Sequence, residues 1–253
     1  PTRRSSDLPG WEAGGGGEAF PRLRQVVVMP TGDEPVRPGA MPLSALGEGK
    51  AWTPLAAHPG PSGNSDIIYT SGTTGSPKGV MLTHDMLTRT AFGSTWGRAF
   101  EDGHRILFSL PMYHVYGYVE GLLSLMFVGG AVIPQLKFDA ADTLAGIARH
   151  RATDVLLIPT MTLALLDEVK QHPGRHDLSS LHSMLSSGGR SPAYIWDQIF
   201  DLLGPKELTT GYGMSEVTAS STVTRPDDPR QRLYSTNGRL RDTGPAGDPA
   251  LGG

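Results

Sequence analysis

From residue 66 to about residue 213, short apolar runs alternate with longer stretches of helical spacing, and that alternation leaves few folds open. DIIYT, HRILFSL, AVIP, DVLLIP, LHSMLSSGG and ELTTGYG read as strands, bounded by Gly, Pro or polar residues. THDMLTRTAFGSTWGRAF, residues 116–127, DAADTLAGIARH, MTLALLDEVKQH and SPAYIWDQIFDLLG read as helices. Thr83 is placed to cap the first of these, and Pro192 is allowed in the first turn of the last. In DAADTLAGIARH, Leu144, Ile147 and Ala148 share one face, with Asp142 near the start. Strands separated by helices of about 12 residues predict an α/β fold, with layered, mostly parallel sheets flanked by helices. Ligands in such folds bind beyond the carboxyl ends of the strands. Three loops fall in such places: after DIIYT, after SMLSS and around YGMSE.

The rest of the chain reads differently. Residues 9–65 are a Gly/Pro-rich lead-in with one short β-branched strand, Val26–Val28. Residues 66–240 hold the patterned core, and residues 241–253 form an irregular tail. Beyond Thr222 the sequence turns polar and rich in Pro, Gly, Asp and Arg, with no clear element. The opening PTRRSSDL, residues 1–8, resembles translated sequencing adapter. The expectation is that it is an artefact on a piece of a longer gene.

Several function classes are poorly supported. The formal net charge is -3 and no block of Lys or Arg stands out, so no nucleic-acid partner is expected. With no cysteine, disulfides, thiolate nucleophiles and thiolate metal sites are excluded. The most apolar stretch, residues 115–133, approaches the length of a membrane span. It contains Glu120 and four glycines and has no close flanking Lys or Arg, so it reads as a buried helix leading into a buried strand. No transmembrane segment is expected, and a cytoplasmic location is. His172, His176 and His182 have spacing that invites a metal, but Pro173 and Gly174 interrupt any helix, and a solvated loop is the expectation. No GxSxG elbow occurs.

Four segments carry chemistry. Residues 69–80, YTSGTTGSPKGV, place glycines, hydroxyls and one lysine after a strand. Glycines let the main chain approach an anion, and exposed N–H groups and hydroxyls can donate to phosphate oxygens. It is not a Walker A loop, because Lys78 follows Pro77 and precedes Gly79. Composition alone leaves a phosphate cradle and a flexible surface turn equally open. Residues 209–216, TTGYGMSE, offer a flat ring at Tyr212, a hydroxyl at Ser215 and a hard oxygen ligand at Glu216. A lone GYG is otherwise an ordinary turn. SSGGR, residues 186–190, suits a main chain passing a flat ligand, or a simple turn. PMYHVYG, residues 111–117, sets His114 among aromatics beyond a strand end, where a core or surface histidine is the default.

Residues 70–79 resemble the signature loop of the adenylate-forming superfamily, which includes acyl-CoA synthetases, luciferases and peptide-synthetase adenylation domains. The resemblance covers about residues 22–240, and full members are about twice as long. It implies that Thr70, Ser71, Gly72, Thr73, Thr74, Gly75 and Lys78 hold the outer phosphates of ATP. TTGYGMSE is similar to the family's Tyr-Gly-x-Thr-Glu motif, with Ser in place of Thr. By that likeness Tyr212 and Gly213 meet adenine, Ser215 meets the α-phosphate and Glu216 binds Mg2+. Gly188 and Gly189 lie against adenine and the acyl pocket, and His114 gates and positions the carboxylate substrate. Val115, Gly117, Gly188 and Met214 shape the pocket. Lys78, His114, Ser215 and Glu216 are the expected catalytic set.

The implied reaction joins a carboxylic acid, fatty or otherwise apolar, to AMP and then to a thiol, coenzyme A. The family's ribose-binding Thr-Gly-Asp and its C-terminal lysine domain have no match here, so little activity is expected of this polypeptide alone. Two alternatives are an adenylation domain that loads a carrier-protein thiol and a nonenzymatic ATP-binding paralogue.

Overall fold

The computed structural model describes residues 26–28, 35–36, 40–47, 60–71 and 76–240. The chain divides into two compact units, Pro1–His58 and Pro59–Gly253. In the first, β1 (Val26–Val28) runs parallel to β2 (Ala40–Pro42), with Val27 opposite Met41.

The second unit opens with an antiparallel hairpin. Strand β3 (Asn64–Thr70) pairs with β4 (Lys78–Thr83), and Thr70 lies opposite Lys78 at its tip. The sequence pattern predicts a loop between DIIYT and the helix; β4 forms there instead, and KGVML is short, with a glycine near its start that hides its strand character. Helix α1 (His84–Gly97) follows at once, and the Thr83 hydroxyl accepts from Met86 N at 3.2 Å, the expected cap.

A five-stranded parallel sheet comes next: β5 (Arg105–Phe108), β6 (Ala131–Pro134), β7 (Asp154–Leu157), β8 (Ser183–Ser186) and β9 (Glu207–Thr209). Its order is β6-β5-β7-β8-β9. Parallel neighbours need crossovers. A π-helix at Tyr116–Leu123, then α2 (Ala140–His150), α3 (Pro159–Gln171) and α4 (Ala193–Leu202) supply them in turn. Pro159 takes the first helical position of α3, and Pro192 sits at the cap of α4 rather than in its first turn. Asp139, not Asp142, caps α2 by accepting from Asp142 N at 2.9 Å.

Strand pleating sorts the core into two layers. Leu107, Val155, Leu157 and Met184 pack against Leu144, Ile147, Leu165, Ile195, Trp196 and Ile199 of α2, α3 and α4. Ile106, Phe108, Leu156 and Leu185 face the other way, onto Phe100 and Leu125, with Tyr116 at the margin. Each such side chain contributes about 1.5–3 kcal/mol when fully buried, so the sheet is stabilised from both faces.

Residues 115–133 depart from expectation in two respects. The helix is wound as a π-helix, and Gly117 and Gly121 lie where a side chain would strike the Pro111 carbonyl and the Phe108 ring, each at 2.6 Å. The strand that follows, β6, is an edge strand and only partly buried. Among the described residues no helix is long and apolar enough to cross a membrane.

ELTTGYG, expected as one strand, divides into two, β9 and the strand that follows it, and further elements lie where the sequence shows no clear pattern. Strands β10 (Gly211–Met214), β11 (Ala219–Val223) and β12 (Arg239–Leu240) form an antiparallel sheet. Short α5 (Gln231–Ser235) precedes β12. Tyr234 Oη donates to Asp197 Oδ1 at 2.5 Å, and the Arg230 guanidinium lies 3.9 Å from the Phe200 ring centre, so side chains of α4 anchor this segment. Leu82, Leu87, Ala91, Val115, Val119 and Ala219 form a third apolar cluster, which joins β4, α1, the π-helix and β11. That cluster brings the hairpin beside the antiparallel sheet.

Candidate active site

The strand ends and the antiparallel sheet enclose a cavity of about 480 Å³. Of the residues expected at a site, His114, Val115, Gly188, Gly189, Tyr212, Gly213 and Met214 line it. They come from three places: the entry to the π-helix, the loop after β8, and β10. Only SMLSS among the three expected loops follows a strand of the parallel sheet. DIIYT belongs to the β3–β4 hairpin, and YGMSE lies in the antiparallel sheet that β9 leads into.

Local chemistry holds these parts together. The Ser187 hydroxyl donates to the Gly211 carbonyl at 2.6 Å and ties the β8 loop to β10. Gly188 has φ +87°, in the left-handed region that favours glycine. A bulge interrupts β10 between Tyr212 and Gly213. A side chain at Gly213 would run into the main-chain carbonyl of Ala219, so glycine alone lets β11 pass that close. Tyr212 is left 48% exposed, with its ring free to meet a flat ligand.

Thr70, Lys78, Ser215 and Glu216 do not line the cavity, but two residues beyond Met214 of its wall Glu216 Oε1 accepts from the Thr70 hydroxyl at 3.5 Å. The base of the loop and the end of TTGYGMSE therefore meet across 146 positions of sequence. Glu216 is exposed, whereas Ser215 is buried in the 3-10 turn Ser215–Val217. Lys78 opens β4 opposite Thr70 and is exposed. Gly72, Thr73, Thr74 and Gly75 lie outside the described residues. Gly117 does not line the cavity; it packs against the carbonyls of Leu110 and Pro111.

The residues at hand suit nucleotide and cation. Among the described residues no three His, Asp or Glu side chains cluster around a metal position. One exposed carboxylate with a hydroxyl beside it matches the sparse protein ligation of Mg2+, which keeps waters and takes phosphate oxygens. His172 pairs instead with Glu168 at 2.9 Å, and His182 with Glu207 at 3.4 Å.

Several lining residues escaped the sequence reading: Tyr116, Ser187, Trp196, Ser220 and the stretch 233–237. Tyr116 and Ser187 sit inside segments already singled out, next to His114 and Gly188. Trp196 reads as plain helix core, and 233–237 carries no periodic signal. Behind Ser220 lies a buried polar network. Glu120, 0% exposed, accepts from Ser94 Oγ at 2.6 Å and from Ser220 N at 3.3 Å. Arg98 donates to the Glu120 carbonyl at 3.0 Å and to Asp154 Oδ2 at 2.7 Å.

The AMP-binding enzyme family model matches residues 18–244. A CoA ligase of Mycobacterium tuberculosis strain H37Rv, named for a methyl-dioxo-octahydroindenyl propanoyl group, is 34% identical over 230 residues, 87% of this chain and 43% of its own. O-succinylbenzoate CoA synthetase (MenE) of Bacillus subtilis, solved with ATP and magnesium ion, superposes with a TM-score of 0.60 at 27% identity over 69% of this chain and 35% of its own. The N-terminal domain of FACL13 from Mycobacterium tuberculosis gives 0.68 at 25% identity over 80% of this chain and 50% of its own. The chain thus spans about half or less of the length of these relatives. Sequence match and fold agree, and the chain belongs to the AMP-binding enzyme family.

Proposed function

We propose that this segment forms the nucleotide and acid site of an ATP-dependent acid–thiol ligase of the acyl-CoA synthetase type. The observation that carries the reading is the meeting of Thr70 with Glu216, two residues along the chain from Met214 in the wall of the cavity lined by His114, Gly188 and Tyr212. The base of a loop rich in phosphate-binding groups then meets a carboxylate suited to Mg2+, in the chain segment that also supplies the Tyr212 ring.

In the first step a carboxylate oxygen attacks the α-phosphorus of ATP, and the bond to pyrophosphate breaks. In the second a thiol sulfur attacks the acyl carbonyl carbon and AMP leaves; coenzyme A is the proposed acceptor. A carboxylate is a poor electrophile, and AMP gives it a leaving group. Lys78 and the N–H and hydroxyl groups of residues 70–75 would neutralise charge on the outer phosphates. Tyr212 would stack on adenine with Gly188, Gly189 and Gly213 admitting it closely, and Ser215 would serve the α-phosphate. Glu216 would hold Mg2+, which supplies charge neutralisation on the phosphates when bound. Val115, Met214, Trp196 and Ala219 favour a fatty or other apolar acid, with His114 at its carboxylate.

The test is ATP–pyrophosphate exchange, run on the longest natural polypeptide that carries this segment and screened across alkyl chain lengths and aryl acids. Exchange should require an acid and favour apolar ones. Glu216→Gln should lower the rate about a hundredfold, the usual cost of one charge-stabilising contact. Exchange that proceeds equally without acid, or an unchanged rate in that variant, would refute the reading. The 253-residue chain alone is expected to exchange little.

A further inference from the structure

His114 is exposed at the cavity wall, yet one of its ring nitrogens is already engaged. Tyr116 N–H donates to His114 Nδ1 at 3.1 Å. A nitrogen that accepts a main-chain N–H carries no proton of its own, so the neutral ring must hold its proton on Nε2. The main chain around it is held on both sides, since His114 N donates to the Pro111 carbonyl at 3.1 Å and Tyr118 N to the His114 carbonyl at 3.0 Å.

The side chain of Tyr116 is anchored separately. Its hydroxyl donates to the Leu157 carbonyl at 2.9 Å and reaches the Leu185 carbonyl at 3.3 Å. These are carboxyl-end carbonyls of adjacent parallel strands, β7 and β8. Leu157 O also accepts from Ser187 N at 3.1 Å, where the Gly188–Gly189 turn begins. Burial pushes the Tyr116 phenol well above its ordinary range, only partly offset by Arg98, so it stays a donor at any working pH. One residue therefore touches the histidine ring through its main chain and the β8 loop through its side chain.

We propose that Tyr116 is a positioning residue, fixing His114 as an Nε2–H donor toward the cavity by its N–H and tying that N–H to the ends of β7 and β8 by its hydroxyl. Resting on the ligase reading, the object of that donor is an oxygen of the acid's carboxyl group. His114 then acts by donating a hydrogen bond and not by removing a proton.

Long-range ¹H–¹⁵N correlation spectra of the 253-residue chain read the tautomer directly. The His114 signals are identified by their disappearance in His114→Gln. The expected pattern is a protonated Nε2 with an unprotonated Nδ1. In Tyr116→Phe, with the amide spectrum otherwise retained, that single pattern should give way to averaging between tautomers. A wild-type ring protonated on Nδ1 overturns the proposal, as does a Tyr116→Phe spectrum unchanged at His114. A second arm uses acid-dependent exchange in the longest natural polypeptide. Glutamine can place an N–H near the position of Nε2, whereas asparagine places it near Nδ1. His114→Asn should lose about tenfold more kcat/KM for the acid than His114→Gln, the worth of one hydrogen bond to a charged group. Equal losses would contradict donation from Nε2. Absence of exchange in the wild type would sink the ligase reading, while the spectra would still decide the role of Tyr116.

Discussion

Gly213→Ala should dismantle the β10–β11 pairing and abolish nucleotide binding. The added methyl group would meet the Ala219 carbonyl and the Ser220 Cα, and both are main chain. No rotamer change relieves such a clash, so the strands must part. Gly213 pairs with Ser220 and Met214 with Ala219, and these registers would be lost together. Tyr212 and Met214, the immediate neighbours of Gly213, would lose their positions at the cavity wall. A cost of about 3 kcal/mol, at the upper end for overpacking, corresponds to a fall in Tm of roughly 10 °C for a chain of this size. Thermal unfolding and titration with ATP check it. Gly174→Ala is the comparison: φ there is +72°, but no atom lies within 4 Å of the added carbon. It should cost only about 1 kcal/mol of backbone strain. Equal effects at the two positions would show that the close approach of β11 is not what selects glycine at 213.

Asp154→Ala should destabilise the fold by about 3–5 kcal/mol, because it strands a buried cation. Arg98 is 1% exposed and Asp154 0%. The pair is 2.7 Å apart, and Asp154 also accepts from Ser183 Oγ at 2.7 Å. Adding Arg98→Met should recover much of the loss, since replacing both partners removes the unpaired charge. The pair also sets a pH dependence. Burial alone would raise the Asp154 carboxyl, but Arg98, with His104 and Ser183, more than offsets this and holds it below its ordinary 3.8. A carboxyl depressed in the folded state contributes stability above its unfolded value. That stability is lost as pH falls through the folded value. Wild-type stability should therefore drop steeply below about pH 4, and the double variant should drop less. Denaturant unfolding at pH 7, 4 and 3 reads both effects. A double variant as acid-sensitive as the wild type would remove Asp154 from the account.

The parts of this fold legible in sequence are those where one physical signal dominates. RILF, DVLL and SMLS are largely buried on both faces and read as apolar runs, and the helices between them carry an apolar stripe or a capping residue. Thr83 was visible as a cap because a hydroxyl stands just before the helical spacing begins. Strands β4, β11 and β12 were not legible, and ELTTGYG, which reads as one strand, is two, β9 and β10. Strands β4 and β12 have exposed residues, β11 mixes small polar residues with Ala and Val, and the sheet pairings include residues 12 and 18 positions apart, Gly211 with Val223 and Thr222 with Leu240. The helix at 116–123 was legible as a helix but not as a π-helix, and the close approach of Gly117 to the Pro111 carbonyl and of Gly121 to the Phe108 ring is equally invisible to local spacing.

The site divides in the same way. His114, Gly188, Gly189, Tyr212 and Gly213 stood out through their resemblance to the superfamily's motifs, and they share one cavity. The Thr70–Glu216 contact and the Arg98–Asp154 pair join residues 146 and 56 positions apart, and no local pattern foretells them. Gly117 stood out as well, but for packing rather than for the cavity.

The claim on which the functional reading depends is that residues 70–79 grip the outer phosphates of ATP during acid activation. Acid-dependent ATP–pyrophosphate exchange should be measured in the longest natural polypeptide after Thr73, Thr74 and Lys78 are all changed to alanine. The expected result is a loss of at least about a hundredfold with the fold intact, since a single such donor is worth that much. A folded variant exchanging at the wild-type rate would contradict the account.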